Sequence, residues 1–125
     1  MRGKVIIPYL LLVPWTIQEA AGEGPDFNRD IRPILAENCF HCHGPDKKAR
    51  EGSLRLDTFE GATEGGEFDN PIIPGKPEES EVIARIRTTD PDERMPPPKS
   101  KRSLTEKQKE LLHEWVASGA KYEEH

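Results

Sequence analysis

The sequence predicts a small all-α domain, with three or so helices joined by long irregular loops. Apolar residues recur at the spacing of one helix face in three segments, residues 26–38, 77–88 and 103–119. Between residues 44 and 75, Gly, Pro and Asn recur as turn signals, which favours irregular structure. Short strand-like pieces are expected at most at residues 54–56 and 72–73. With 125 residues, the chain is long enough for one domain.

The first helix is expected to begin near Asp26, which can cap it, and to end just before Cys39. Phe27 and Ile31 lie four residues apart and share its apolar face. Pro33 has no backbone N–H and its ring clashes with the preceding turn. We therefore expect a kink at Pro33, or a helix that begins close to it.

The last helix has the clearest signal in the chain. Ser103 or Thr105 can cap it, and Glu106 or Gln108, three residues later in each case, can complete a capping box. Gly119 is expected to end this helix.

The composition predicts a thin hydrophobic core. Hydrophobic residues make up 34% of the chain and charged residues 33%, while Gly and Pro together occupy 22 positions. A domain of this kind cannot bury much apolar surface, so we expect it to need a brace such as a bound cofactor.

The first residues are typical of an export signal, because Arg2 and Lys4 precede an apolar run over residues 5–15. This run has 11 residues, whereas a membrane-spanning helix needs about 20, so we expect no stable membrane span. The alternative is a buried N-terminal helix, which the two prolines within the run disfavour.

We expect a signal peptide over residues 1–21, cleaved near Ala20 or Ala21, and a single domain over residues 22–125. The mature protein would then be exported to the periplasm or another extracytoplasmic compartment. It would carry 16 basic and 22 acidic side chains, a net charge of -6. Nucleic acid is therefore not an expected partner, and steering would favour a partner protein with a basic docking face.

The segment Cys39-Phe40-His41-Cys42-His43 has the C-x-x-C-H pattern of haem c attachment. Two thiols separated by two residues can form thioethers with the two vinyl groups of one porphyrin, and the next residue then lies beneath the iron. We therefore expect one covalently attached haem c, with His43 as an axial iron ligand. His41 is expected to point away from the iron.

Two other uses of this motif remain open at this point. Cys39 and Cys42 could form a disulfide or act in thiol redox chemistry, but such motifs usually begin a helix, whereas this pair follows one. A zinc site would have to recruit its remaining ligands from four histidines that lack paired spacing.

Met95 is the predicted sixth iron ligand, because it is the single methionine left once Met1 departs with the signal peptide. It lies in the run Arg94-Met95-Pro96-Pro97-Pro98, where three prolines stiffen the backbone that presents the side chain. The alternative role for Met95 is filling a gap in the core. His113 is the main rival ligand, but its place at the edge of the apolar stripe favours a helix-surface role.

Six motifs resemble, in the same order, those of the planctomycete-type cytochrome c domain: residues 27–35, 39–46, 54–57, 74–80, 94–97 and 115–120. The resemblance implies a class I cytochrome c-like fold, in which the first and last helices cross and pack next to one haem. It implies His43 as the proximal ligand, Met95 as the distal ligand and Trp115 in the helix packing. Domains of this family commonly head longer polypeptides.

The expected function is that of a monohaem c-type cytochrome, an electron carrier rather than an enzyme, with a positive midpoint potential. One alternative is a haem-based sensor or peroxidase-like domain in which Met95 is a labile ligand. Others are the haem domain of a larger redox protein, or a haem-free interaction domain with a Cys39–Cys42 disulfide.

Overall fold

The protein is described by a computed structural model over residues 2–14, 24–67 and 69–125. Its four α-helices are α1 (Arg32–Asn38), α2 (Phe59–Glu64), α3 (Glu81–Arg87) and α4 (Glu106–Ala117). A π-helical turn at Phe27–Ile31 precedes α1, and 3₁₀ turns lie at Pro77–Glu79 and Pro98–Ser100. No strand occurs within these ranges, so the all-α prediction is confirmed. The strand-like pieces expected at residues 54–56 and 72–73 are irregular loop.

The N-terminal helical segment changes its hydrogen-bonding pattern just before its proline. Asp26 caps the π-helical turn, as predicted, by accepting a hydrogen bond of 2.7 Å from the backbone N–H of Arg29. The N–H of Arg32 donates to the carbonyl of Phe27, five residues back. Pro33 then occupies the first turn of α1. Backbone N–H groups in a first turn have no partner within the helix, so the missing N–H of proline costs no hydrogen bond there. The expectation that a helix begins close to Pro33 is confirmed for α1.

Helix α2 was not predicted from the sequence. Thr58 caps it by accepting a hydrogen bond of 3.1 Å from the N–H of Gly61, and Ala62 is fully buried. The backbone N–H of Ile72 donates to the carbonyl of Ala62 over 3.0 Å, which ties the following loop to this helix. A glycine inside a six-residue helix lowers its intrinsic propensity, so tertiary packing stabilises α2.

The second predicted helix, over residues 77–88, is divided at Ser80 into a 3₁₀ turn and α3. Ser80 is 1% exposed, and its hydroxyl accepts from the N–H of Ile73 and donates to the carbonyl of Lys76, both over 2.9 Å. These bonds require the extended backbone that Ser80 adopts, which interrupts the helix. The predicted apolar face is confirmed by the burial of Ile83 and Ile86.

Helix α4 begins with the predicted capping box. The Thr105 hydroxyl accepts from the N–H of Gln108 over 3.1 Å, and the Gln108 side chain accepts from the N–H of Thr105 over 2.9 Å. Ser103 is not the cap. The helix ends at Ala117, and Gly119 follows with a φ of +117°, a left-handed conformation that favours glycine.

The core joins the two ends of the domain through three aromatic rings. The Phe27 ring centroid lies 5.8 Å from that of Trp115 and 4.7 Å from that of Tyr122, and the last two rings are 5.3 Å apart. The π-helical turn and α4 therefore pack against each other, as the resemblance implied. Further apolar side chains from the helices and loops complete the core: Ile31, Ile34, Leu35, Leu56, Ala62, Ile72, Ile83, Ile86, Leu104, Leu112, Val116 and Ala120.

Residues 2–14 form no helix or strand, and their large apolar side chains are exposed. These residues therefore give no support to the alternative prediction of a buried N-terminal helix. Trp15 and the predicted cleavage site near Ala20 or Ala21 lie outside the described residues. None of the helices described above is long and apolar enough to cross a membrane.

The capping box gives a test of this fold. Thr105→Ala should lower the free energy of unfolding by about 1 kcal/mol, because it leaves an N–H at the start of α4 without its partner. Ser103→Ala, two residues away and outside the box, should change it by less than about 0.5 kcal/mol. Urea unfolding of the two purified variants measures both effects, and an equal loss in the two would contradict the assignment of the cap.

Candidate functional site

The C-x-x-C-H motif forms a turn that continues directly from α1. The N–H of Cys39 donates to the carbonyl of Leu35 over 2.8 Å, which extends the helical bonding past Asn38. The N–H groups of Cys42 and His43 then donate to the carbonyl of Cys39 over 3.2 and 2.8 Å. The structure thus brings the three predicted attachment residues together on one turn.

Gly44 allows the chain to leave this turn. A Cβ atom on residue 44 would lie 2.3 Å from the carbonyl oxygen of Phe40, which is closer than real Cβ contacts allow. A glycine is therefore required immediately after His43 if this turn is to keep its shape.

The His43 ring is half-buried and oriented by a backbone carbonyl. Its Nδ1 lies 3.3 Å from the carbonyl oxygen of Leu54. Because a carbonyl oxygen can only accept, Nδ1 carries the proton in this contact and Nε2 keeps a free lone pair. Burial lowers the pKa of His43, which favours the neutral ring. His43 is therefore held in the form that binds a metal.

The loop after the motif folds back and binds its backbone. The N–H of Glu51 donates to the carbonyl of Cys42, and the N–H of Leu56 donates to the carbonyl of His43, both over 2.8 Å. The Tyr122 hydroxyl in turn donates to the carbonyl of Leu56 over 2.7 Å. The motif is thereby connected to the C-terminal segment through the segment 54–56.

The two thiols are free, and their setting differs from that of a redox-active pair. Burial, followed by the proximity of Cys42, raises the pKa of the Cys39 thiol to about 12. Thiol oxidoreductases need a lowered thiol pKa, so this arrangement disfavours that alternative. In the described part of the chain, no three His, Cys, Asp or Glu side chains gather as a metal site, so the zinc alternative lacks ligands. His41 is exposed.

Met95 lies on the loop between α3 and α4. Its backbone N–H donates to the carbonyl of Arg85 over 3.0 Å, so α3 holds this position. The Met95 side chain is half-buried and the following Pro96 is buried. Among the residues described here, no hydrogen bond links Met95 to the turn that carries His43.

His113, the rival ligand, is engaged elsewhere. Its Nε2 lies 2.8 Å from Oε1 of Glu78, and its side chain is 29% exposed at the surface of α4. This contact joins α4 to the 3₁₀ turn before α3, in agreement with the predicted helix-surface role.

The Arg55–Asp57 pair stabilises the loop that binds His43. The Arg55 guanidinium donates two hydrogen bonds to the Asp57 carboxylate, over 2.8 and 2.5 Å. Hydrogen bonding from Arg55 lowers the pKa of Asp57, so the carboxylate stays charged near neutral pH. The two side chains satisfy each other, which favours turn stabilisation over binding of a haem propionate.

Two clefts lie away from the motif. One, of about 410 Å³, is lined by side chains from α3, α4 and the loop between them. The other, of about 200 Å³, lies between the first residues of the domain and the end of α4. Neither is lined by Cys39, Cys42, His43 or Met95. The donor atoms on the motif turn identify the candidate site.

Sequence reasoning did not identify Leu54, Leu56 or Tyr122 as supports of the site. The first two act through backbone carbonyl and N–H groups, which carry no side-chain signal in a sequence. Tyr122 is mostly buried, and burial raises its pKa, so its hydroxyl remains a hydrogen-bond donor at neutral pH. The sequence signal that could have identified Tyr122 was an aromatic residue soon after Gly119, the predicted end of the last helix.

One protein family matches the part of the chain that contains this turn. Residues 39–99, about half of the chain, match the family model described as planctomycete cytochrome C. The resemblance found in the sequence is thereby confirmed. No curated protein and no solved structure was found to match the chain.

The Tyr122 hydroxyl provides a test of the supports described above. Tyr122→Phe keeps the ring in the aromatic cluster but removes its hydrogen bond to the Leu56 carbonyl. The free energy of unfolding should fall by about 1 kcal/mol, because a buried acceptor loses its partner. Urea unfolding of the purified variant measures this loss, and unchanged stability would show that the bond contributes nothing to the fold.

Proposed function

Residues 39–99 of this chain are a planctomycete-type cytochrome c domain, and from this premise we propose that it is a monohaem c-type cytochrome that transfers single electrons. The observation that carries the proposal is the motif turn, which carries Cys39, Cys42 and His43 and whose two thiols are free. The small all-α fold agrees with a cytochrome c-like architecture.

In this proposal, each residue of the turn has a distinct role. Cys39 and Cys42 would hold the haem as thioethers, and Nε2 of His43 would be a ligand of its iron. When bound, haem c supplies reversible one-electron chemistry at the iron. The Leu54 carbonyl fixes the orientation of the His43 ring and increases its basicity through the hydrogen bond to Nδ1.

Met95 is proposed as the second axial ligand. The bond from its N–H to the Arg85 carbonyl and the buried Pro96 restrict the backbone that carries its side chain. A restricted ligand moves little when the oxidation state changes, which favours rapid electron transfer. A thioether also favours the reduced iron more than a second histidine does, so we expect a positive midpoint potential.

The favoured role is that of an electron carrier rather than an enzyme. One observation supports a second role as a haem sensor or peroxidase-like domain. Among the described hydrogen bonds, that of the Met95 N–H goes to the Arg85 carbonyl on α3 and none goes to the motif turn, so loss of Met95 as a ligand would leave the bonds of that turn intact. Incorporation of the domain into a larger redox protein is compatible with either role.

We further propose that residues 1–21 form a signal peptide and residues 22–125 the mature domain, which acts outside the cytoplasm. The exposure of the apolar side chains in residues 2–14 supports this division, because they contribute nothing to the core. Cytochrome c domains are typically extracytoplasmic, and the C-x-x-C-H motif is consistent with haem attachment after export.

Covalent attachment is the first test of the proposal. Expression in a periplasm with a haem-attachment system should give a protein whose pyridine haemochrome spectrum shows one covalently bound haem per chain. The double variant Cys39→Ala with Cys42→Ala should carry none. His41→Ala, in the same turn but exposed, should retain it. A wild-type protein without covalent haem would refute the proposed function.

The sixth ligand is tested by Met95→Ala. In the oxidised protein, this change should abolish the weak far-red absorption band that iron–methionine bonding produces, and the reduced protein should bind carbon monoxide rapidly. His113→Ala is the matched control and should leave both properties unchanged, because His113 contacts Glu78. Loss of the band in His113→Ala with its retention in Met95→Ala would reverse the assignment.

A further inference from the structure

The chain after α4 turns back onto the first helical segment, and we call its residues 121–124 the C-terminal strap. Gly119 and Ala120, which lie between α4 and the strap, both have positive φ values, of +117° and +52°. An alanine at a positive φ is strained, and such a conformation persists only where surrounding contacts hold it. Ala120 is also fully buried. The strap is therefore held by its contacts rather than by the preference of its own backbone.

Two side chains of the first helical segment hold the strap by its backbone. The Arg32 guanidinium donates to the carbonyl of Glu123 over 2.5 Å, and the Asn28 amide donates to the carbonyl of Glu124 over 2.9 Å. Arg32 also donates from Nε to the side-chain oxygen of Asn28 over 2.9 Å, so the two side chains act together. The guanidinium carbon lies 4.8 Å from the centroid of the Phe27 ring, which fixes it further. We call Arg32 and Asn28 the strap clamp.

Tyr122 is the strap residue that reaches the surroundings of the candidate site. Its hydroxyl donates to the carbonyl of Leu56 over 2.7 Å. The N–H of Leu56 donates to the carbonyl of His43 over 2.8 Å, and the Leu54 carbonyl oxygen lies 3.3 Å from Nδ1 of the same residue. The strap clamp is therefore connected, through one side chain and one short loop segment, to the imidazole proposed as an iron ligand.

We infer that Arg32 is a positioning residue for His43: by holding the strap, it keeps segment 54–56 against the imidazole and so lowers the midpoint potential of the iron. This inference rests on the proposed function, because it concerns a haem whose iron His43 binds. The 3.3 Å contact between Nδ1 and the Leu54 carbonyl is long for a hydrogen bond, so a small displacement of the segment changes its strength. A stronger bond makes the imidazole a stronger donor, which stabilises the oxidised iron. Release of the strap therefore raises the midpoint potential.

The sign of the shift separates positioning from a simple effect of charge. Loss of the positive charge of Arg32 would by itself favour the oxidised, more positive iron and would lower the midpoint potential. Loss of positioning raises it instead. Arg29, three residues away, offers a matched control, because its guanidinium bonds to Asp30 at the surface and no described hydrogen bond joins it to the strap.

Redox titration of the haem-loaded Arg32→Gln protein tests the inference. Its midpoint potential should lie above that of the wild type. At a fixed solution potential, the ratio of reduced to oxidised protein should rise about threefold or more, as expected for the loss of one hydrogen bond. Arg29→Gln removes the same charge and should give no such rise. An unchanged or lowered potential in Arg32→Gln, as a charge effect alone would give, would overturn the inference.

Two variants that leave the charge unchanged follow the same path. Asn28→Ala removes the other half of the strap clamp and should also raise the midpoint potential. Tyr122→Phe breaks the hydrogen bond to the Leu56 carbonyl, so adding Arg32→Gln to it should raise the potential little further. Full additivity of the Arg32 and Tyr122 shifts would show that Arg32 acts by another path and would contradict the inference.

Proton NMR of the reduced protein measures the hydrogen bond itself. The Nδ1–H of His43 should exchange with solvent faster in Arg32→Gln than in Arg29→Gln, because a weakened bond to the Leu54 carbonyl opens more often. Equal exchange rates would contradict positioning through this bond. A pyridine haemochrome assay on the same samples separates the two proposals. Samples that carry haem but show none of these changes defeat only the inference about Arg32, whereas a wild-type protein without haem refutes the proposed function as well.

Discussion

Two hydrogen bonds between His43 and the segment 54–56 position the candidate site, and much of the remaining structure supports them. The Leu54 carbonyl orients the imidazole, while the His43 carbonyl accepts from the N–H of Leu56. These bonds can form only if a loop of about ten residues returns to the motif, and such closure costs conformational entropy. Contacts within the loop and beyond it offset that cost, among them the Arg55–Asp57 pair and the Tyr122 hydroxyl.

The aromatic cluster connects this local arrangement to the ends of the domain. Phe27 precedes the motif helix and Trp115 lies in the last helix, yet both rings contact Tyr122. The Trp115 indole N–H also donates to the carbonyl of Lys121 over 2.9 Å, which fixes the segment that carries Tyr122. Packing of the first and last helical segments is therefore coupled to the position of the Leu56 carbonyl, two residues from the one that orients His43.

Short sequence patterns predicted those features of this protein that depend on interactions between neighbouring residues. The capping box at Thr105, the cap at Asp26 and the clustering of the C-x-x-C-H residues need only a few neighbouring residues, and all appear in the structure. Helix α2 and the break at Ser80 depend on hydrogen bonds with Ile72 and Ile73 in the loop between them, and helical periodicity carries no signal for such bonds. The supports of His43 were missed for a related reason, because backbone carbonyls look the same in every sequence.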